Sequence, residues 1–114
     1  MIKVETQRQN GRITYFEIKG HADFSGYGDD IICAAVSSVG QMTINGLIET
    51  LKLQKKLEYV EKDGLITCDL KDSELTDDEL EKADILIESM YSYLKAVARS
   101  YSEFVKLEEK IENK

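Results

Sequence analysis

The only histidine of this 114-residue chain, His21, lies twelve positions before a cysteine, Cys33. A thiolate is a nucleophile, and an imidazole within reach can take the thiol proton and later protonate a leaving amine. The sequence around Cys33 predicts the first turn of a helix, where partial positive charge favours a thiolate and free backbone N–H groups can receive an oxyanion. This pair of residues would therefore suit nucleophilic catalysis at an acyl group.

Three other interpretations of the same residues have to be weighed against catalysis. Cys33 could be a small apolar residue packed at a helix start, with His21 exposed in a loop, and one Cys and one His alone favour this structural interpretation. A metal site built from His21, Asp23 and Cys33 lacks a fourth ligand. A phosphate loop at Gly26-Tyr27-Gly28 lacks the Lys-Ser/Thr pair that completes such loops. We therefore predict no metal and no cofactor.

Acidic side chains near the pair could either oppose or support this chemistry. Asp29 and Asp30 lie just before the cysteine, where a carboxylate would disfavour a neighbouring thiolate or, when bonded to the imidazole, would orient the ring. We favour Asp30 for the orienting role over Asp23 or Asp29. The second cysteine, Cys68, falls in the middle of an apolar strand face, which indicates packing rather than chemistry.

The elements that must position these residues begin with a hairpin. Residues 2–7 alternate apolar and polar side chains, and a second extended run, residues 12–19, follows the strong turn signal Asn10-Gly11. The second run carries apolar side chains on both faces, so we expect it to be covered on both sides. One face would hold Ile13 and Tyr15, and the other Phe16 and Ile18.

A loop and a helix follow this hairpin. Gly20 ends the second strand, and residues 21–28 contain two further glycines that are typical of a loop. A helix capped by Asp29 or Asp30 is predicted next, from apolar residues at three- and four-residue steps. The stretch from Ile31 to Ile48 has no charged residue, so we expect most of this helix to be buried. Its Ser, Gly, Gln, Thr and Asn residues make it too polar for a membrane span.

A second hairpin and a second helix follow in the second half of the chain. Asp63-Gly64 joins two short strands, and Thr76 and Glu79 form a capping box that opens a long helix. The buried stripe predicted for that helix ends in Tyr101, and residues 104–107 could return as an edge strand. The order β-β-α-β-β-α-β predicts an α+β fold, a mostly antiparallel sheet packed with two helices, in a single domain over residues 1–114. The predicted buried stripe of the long helix consists of Leu80, Ala83, Ile87, Met90, Leu94, Val97 and Tyr101.

Composition and charge narrow the class of protein further. The net charge is −7, and the second half supplies most of the acid, with 16 acidic and eight basic residues over positions 58–114. A phosphate backbone selects for clustered Lys and Arg, so we expect no direct nucleic-acid binding. The N-terminal residues lack the apolar run of an export signal, and we expect a cytoplasmic protein with free thiols and no membrane contact.

Two short runs carry a resemblance to a known family. The sequence GHAD at Gly20–Asp23, followed by GDDIICAAVS at Gly28–Ser37, closely resembles the signature of the bacterial ribosomal-processing cysteine protease family, Prp. The signature pairs Gly-His-Ala with an Asp-(Ile/Val)-(Ile/Val)-Cys-Ala helix start at fixed separation. The chain length, both hairpins and the acidic C-terminal helix also look like that family.

The resemblance implies a cysteine endopeptidase with Cys33 as nucleophile and His21 as base, and with Asp30 and Ser37 in supporting positions. The implied substrate is the large-subunit ribosomal protein numbered twenty-seven, made with an apolar N-terminal extension rich in Leu and Phe that is removed during ribosome maturation. The family also implies a homodimer, a three-layer α/β/α sandwich and a mobile substrate loop between the His and the Cys. The loop residues are Phe24, Gly26, Tyr27 and Gly28.

A protein of another class could keep this fold without the chemistry. A non-catalytic ribosome-associated module would bind a basic ribosomal protein through the acidic half of the chain. Turnover separates the two interpretations, because a binding module would leave its target intact.

The loop itself generates a prediction. Residues 22–28 should form a movable cover, because two glycines and few aliphatic anchors leave little to hold the segment in the free protein. Amide exchange should be fast there without ligand and slow with a bound substrate-like peptide. Equal protection in both states would contradict the cover.

Overall fold

A computed structural model describes the backbone of residues 1–20, 27–71 and 73–112, with the side chains of all of these except residues 27–30 and 112. A π-helical turn, Gly46–Thr50, continues the first helix, and a short 3-10 turn, Gln54–Lys56, follows it. The strands and helices are β1 (Ile2–Gln9), β2 (Arg12–Lys19), α1 (Tyr27–Asn45), β3 (Glu58–Lys62), β4 (Leu65–Asp69), α2 (Asp77–Ser100) and β5 (Val105–Glu112).

The five strands form one sheet in the order β3-β4-β2-β1-β5. The pairs β1–β2, β2–β4 and β3–β4 are antiparallel, whereas β1 and β5 are parallel. The predicted α+β fold, its element order and its mostly antiparallel sheet are confirmed. The last strand is an edge strand as expected, but it spans eight residues rather than four.

Both predicted hairpin turns are present. Asn10 and Gly11 have φ angles of 54° and 82°, the pair of positive values that a two-residue turn between twisted strands needs. Gly64 closes the second hairpin with a φ of 77°. Glycine adopts this backbone region without steric cost, so the local sequence is sufficient to define both turns.

A bulge in the first hairpin changes which side chains of β2 face the helices. Gln7 pairs with Tyr15 while Arg8 pairs with Ile13, which leaves Thr14 as an extra residue. The bulge moves Ile13 onto the face of Phe16 and Ile18, and all three are buried. The expectation that Ile13 and Tyr15 share a second covered face is therefore wrong, because simple alternation does not hold across a bulge.

Both helices lie on this one face of the sheet. A Cβ at Gly40 of α1 would lie 2.8 Å from Ile18 Cδ1 and 3.0 Å from Ile66 Cδ1, so α1 packs directly on β2 and β4. On α2, Glu88 accepts two hydrogen bonds from Arg8 of β1, at 2.5 and 3.0 Å. The described residues thus form two layers rather than the expected three.

The other face of the sheet is polar and carries no helix within the ranges given above. Lys71 donates to Gln7 across this face at 2.5 Å, and its ammonium lies 5.3 Å from the centre of the Tyr15 ring. Lys110 of β5 pairs with Glu5 of β1 at 3.5 Å. These contacts satisfy half-buried polar groups without any apolar cover.

The uncharged stretch of α1 supplies part of the core, although much of its outer surface is exposed. Ile32, Val36 and Ile44 are buried, whereas Met42 is 68% exposed. By length and composition, Ile31–Thr50 is apolar enough to cross a membrane, with a mean hydropathy of 1.6, so the expectation that it is too polar was wrong. A single such helix is weak evidence, because core helices of soluble proteins meet the same criterion.

Helix α2 confirms the predicted capping box. Glu79 N donates to Thr76 Oγ1 at 3.2 Å, and Thr76 N donates to Glu79 Oε1 at 2.9 Å. The predicted stripe is buried from Ala83 to Val97, but Tyr101 follows the last helical residue and is 46% exposed. The additional buried aromatic residue is Tyr91, which faces Arg8 of β1.

Removing the cap should weaken α2 measurably. Thr76→Ala deletes the oxygen that accepts from Glu79 N, and loss of such a cap lowers the free energy of unfolding by about 1 kcal/mol. Thr76→Ser keeps the oxygen and should stay close to wild type. Urea unfolding of the three proteins provides the measurement, and equal midpoints for the Ala and Ser variants would contradict this role of the cap.

Candidate active site

Cys33 lies in the second turn of α1, not in the first turn as expected. The helix begins at Tyr27, which makes Cys33 its seventh residue. Because the dipole effect is strongest within the first turn, the helix end contributes less to a thiolate here than the sequence pattern indicated. The Cys33 side chain is partly buried against the core and partly exposed.

The same helix start changes the expected oxyanion site. The N–H groups without an intrahelical partner are those of the first four helical residues, and Cys33 lies beyond them. Its N–H is therefore part of the helical hydrogen-bond ladder. The expectation that Cys33 lies among free N–H groups that can receive an oxyanion is therefore not supported by the helix geometry.

The other predicted site residues divide into three groups. His21, Asp23, Phe24 and Gly26 lie outside the described residues. Tyr27 and Gly28, expected in the substrate loop, form the start of α1 together with Asp29 and Asp30, so neither aspartate caps the helix. Residues 22–26 of the predicted cover lie outside the described residues, and residues 27 and 28 are helical. Ser37 is partly buried, one helical turn after Cys33.

A cavity of about 470 Å³ begins one turn along α1 from Cys33. Ser37 and Gln41 line one side, and the turn between β3 and β4 lines another. Gly20, the residue immediately before His21, also lines the cavity. Residues three or four apart on a helix are surface neighbours, so a group in this cavity is close to position 33. The cavity thus connects the two chain segments that carry the predicted pair.

The end of β2 is held firmly at this cavity. Gly20 N donates to Gly64 O at 3.0 Å, which ties the strand end to the β3–β4 turn. Gly20 has a φ of 113°, and a Cβ there would lie 2.6 Å from Met1 O. Any other residue at position 20 would clash with backbone, so this glycine defines the direction in which the chain leaves the sheet toward His21.

Sequence reasoning missed two parts of this site. Gln41 lies about two helical turns after Cys33, with Ser37 midway between them. This four-residue spacing is a sequence signal that could have identified Gln41. Glu61, Lys62 and Asp63 line the cavity from the second hairpin, and no local pattern marks them. Only the sheet order, with β4 beside β2, brings that hairpin to Gly20.

Cys68 has the structural role that its pattern predicted. The side chain is 0% exposed and faces the helices from β4. Burial, and to a lesser extent the neighbouring Asp69 carboxylate, raises the pKa of the Cys68 thiol to about 12. A thiol in this environment is protonated at neutral pH and has no access to a substrate.

The sequence matches a known protein family. Residues 1–106 match the family described as cysteine protease Prp. The ribosomal processing cysteine protease Prp of Bacillus subtilis is 31% identical over 104 residues, covering 90% of this chain and 92% of the relative. The protein of the same name from Staphylococcus aureus is 28% identical over 108 residues, covering 94% and 97%.

Solved structures share the fold. SMU.848 from Streptococcus mutans superposes with a TM-score of 0.78 at 30% identity, covering 98% of this chain and 96% of that one. The ribosomal processing protease Prp from S. aureus with a covalently linked product peptide has a TM-score of 0.75 at 26% identity, covering 96% and 100%. The S. aureus complex with a substrate peptide, at 24% identity and a TM-score of 0.77, shows the fold alone.

Fold, family match and relatives together define a cysteine protease. The chain belongs to the cysteine protease Prp family. This assignment favours an enzyme over the non-catalytic binding module.

The two thiols should differ in reactivity. Cys33 is partly exposed beside a cavity, whereas Cys68 is buried and protonated, so iodoacetamide should modify Cys33 first in the native protein. Peptide mapping over a time course provides the measurement, and labelling in denaturant, where both thiols are exposed, is the control. Earlier modification of Cys68 would contradict the assignment of Cys33.

Proposed function

We propose that this protein cleaves the apolar N-terminal extension from the large-subunit ribosomal protein numbered twenty-seven, with Cys33 as nucleophile and His21 as general base. One observation carries the proposal: in a chain of the Prp family, a partly exposed Cys33 lies beside a cavity that is also lined by Gly20, the neighbour of His21. The B. subtilis and S. aureus relatives are named ribosomal processing proteases, which supports a ribosomal substrate.

The reaction would proceed by acyl transfer. His21 takes the Cys33 proton, the sulfur attacks the scissile carbonyl, and the imidazolium then protonates the leaving amine as the peptide bond breaks. His21 next removes a proton from water, which attacks the thioester; the C–S bond breaks, the extension leaves with a free carboxylate, and the Cys33 sulfur regains its proton from His21. The S. aureus relative with a covalently linked product peptide supports a covalent intermediate.

Asp30 and Ser37 are proposed as supporting residues. Position 30 lies three residues before Cys33 and position 37 four residues after it, so both occupy the same side of α1. Asp30 would orient the His21 imidazole, and Ser37 would contact bound peptide from the cavity wall. We further propose a cytoplasmic homodimer in which residues 1–114 form a single protease domain.

Substitution of the proposed nucleophile gives the direct test. Cys33→Ala should abolish cleavage of the extended ribosomal protein while preserving its binding, because the variant loses the sulfur but keeps the cavity. His21→Ala should slow cleavage by about a hundredfold or more, the usual scale for a positioned base. Mass determination of the products over time provides the measurement.

Cys68→Ala is the matched control. It should lower the free energy of unfolding, because it leaves a space in a close-packed core, and it should leave the cleavage rate nearly unchanged. Cleavage by pure Cys33→Ala protein at the wild-type rate would reject the mechanism.

A further inference from the structure

The end of α2 and the start of β5 form the walls of another cavity, here called the α2–β5 cavity. Its volume is about 480 Å³, which lies in the range of small-molecule sites, about 300–1,000 Å³. The floor is apolar, because Val105 is buried and both Ala98 and Leu107 pack against the core. Met1 closes one side.

Three basic side chains surround this apolar floor. Lys95 and Arg99 lie four residues apart on α2, and Lys106 comes from β5. None of the described residues that line the cavity is acidic, although the chain has a net charge of −7. The cavity of the candidate active site, by contrast, includes Glu61 and Asp63. The fold therefore gathers positive charge at the α2–β5 cavity in an acidic protein.

These three cations are only weakly neutralised by their neighbours. The Lys95 ammonium lies 5.1 Å from the centre of the Tyr91 ring, a contact that leaves its charge in place. Lys106 pairs with Glu108 at 3.5 Å, and an exposed pair of this kind contributes little. Arg99 has no ion pair among the residues that the structure describes. The rim is therefore able to receive an anion.

The surroundings of the cavity also favour an anion. Lys3 lies opposite Lys106 in the parallel register of β1 and β5, and like charges on neighbouring strands repel each other. Glu5, the next residue of β1 on that face, pairs with Lys110 at 3.5 Å. The C-terminus of α2 opposes an anion with a partial charge of about half a unit, which the three rim cations outweigh.

An apolar floor with a basic rim is complementary to an aliphatic chain that ends in a carboxylate. The chain would bury its CH₂ groups on the floor, and the carboxylate would lie among the rim cations. An apolar peptide fits less well, because every buried amide needs a hydrogen-bond partner and the floor side chains offer none. Ser102 alone adds an uncharged polar side chain to the described lining.

We propose that the α2–β5 cavity binds a medium-chain aliphatic carboxylate. This site is independent of the proposed function, since its lining has no residue in common with the cavity of the candidate active site. The two cavities are neighbours along the chain, because Met1 lines one and Ile2 lines the other.

The first arm of the test measures binding to the full chain by titration calorimetry. Hexanoate, octanoate and decanoate, each below its critical micelle concentration, should bind with an affinity that rises about threefold per added CH₂ group. Octanol and octyltrimethylammonium keep the chain without the negative charge, so both should bind about tenfold more weakly than octanoate. An affinity independent of chain length, or equal for octanoate and octanol, would overturn the site.

The second arm uses variants of the cavity. Arg99→Gln removes a rim cation and should lower the octanoate affinity about fivefold, whereas Lys82→Gln removes the same charge from α2 outside the cavity and should match wild type. Ala98→Leu fills the floor and should lower the decanoate affinity about tenfold, with urea unfolding as the check that the variant is folded. Equal octanoate affinities for the Arg99 and Lys82 variants would contradict the proposal.

The third arm identifies the occupant and its location. A Leu-rich peptide with a free C-terminal carboxylate is the competing ligand, and tighter binding of this peptide than of decanoate would overturn the aliphatic assignment. Decanoate should shift the amide resonances of Ala98 and Leu107. Shifts confined to Ser37 and Gln41 would place the ligand in the other cavity and reject the proposal.

Discussion

Helix α1 approaches the sheet so closely at Gly40 that a side chain there would have to displace buried methyl groups of β2 and β4. A methyl group there would fall within 3.0 Å of the side chains of Ile18 and Ile66, which are buried and have neighbours of their own. These two methyl groups would have to shift within a close-packed interior. Ser37 and Gln41, which line the cavity that begins one helical turn from Cys33, flank this contact on α1.

The two thiols show how position in this core decides chemistry. Cys68 faces the helices from the middle of the sheet and pairs with Phe16 in the register, so water reaches neither residue. Cys33 lies on the helix, near the margin of the same core, where one side packs and the other is open. The two side chains are chemically identical, and it is burial that gives Cys68 a structural role.

A partly buried cation connects three elements in the half of the fold that is remote from the site. Arg8 of β1 pairs with Glu88 of α2 and with Glu109 of β5, and these hydrogen bonds raise the pKa of its guanidinium. Partial removal of a guanidinium from water is costly, and the bidentate pair with Glu88 together with the single hydrogen bond to Glu109 offsets that cost. The arrangement connects the long helix to the parallel edge strand, and it uses part of the acid that the second half of the chain carries in excess.

The sequence by itself determined the elements whose causes are local. Asn10-Gly11 and Asp63-Gly64 define their turns by backbone angles, the Thr76 box defines the start of α2, and the patterns of Cys33 and Cys68 indicate different roles for the two thiols. The tertiary structure decided the rest, because it depends on contacts between distant residues. The bulge that turns Ile13 toward the helices, the parallel pairing of β1 with β5, and the placement of both helices on one face require neighbours that no local pattern names. The cavity between α1 and the β3–β4 turn also belongs to this class, since a cavity is a property of surfaces that meet only after the chain has folded.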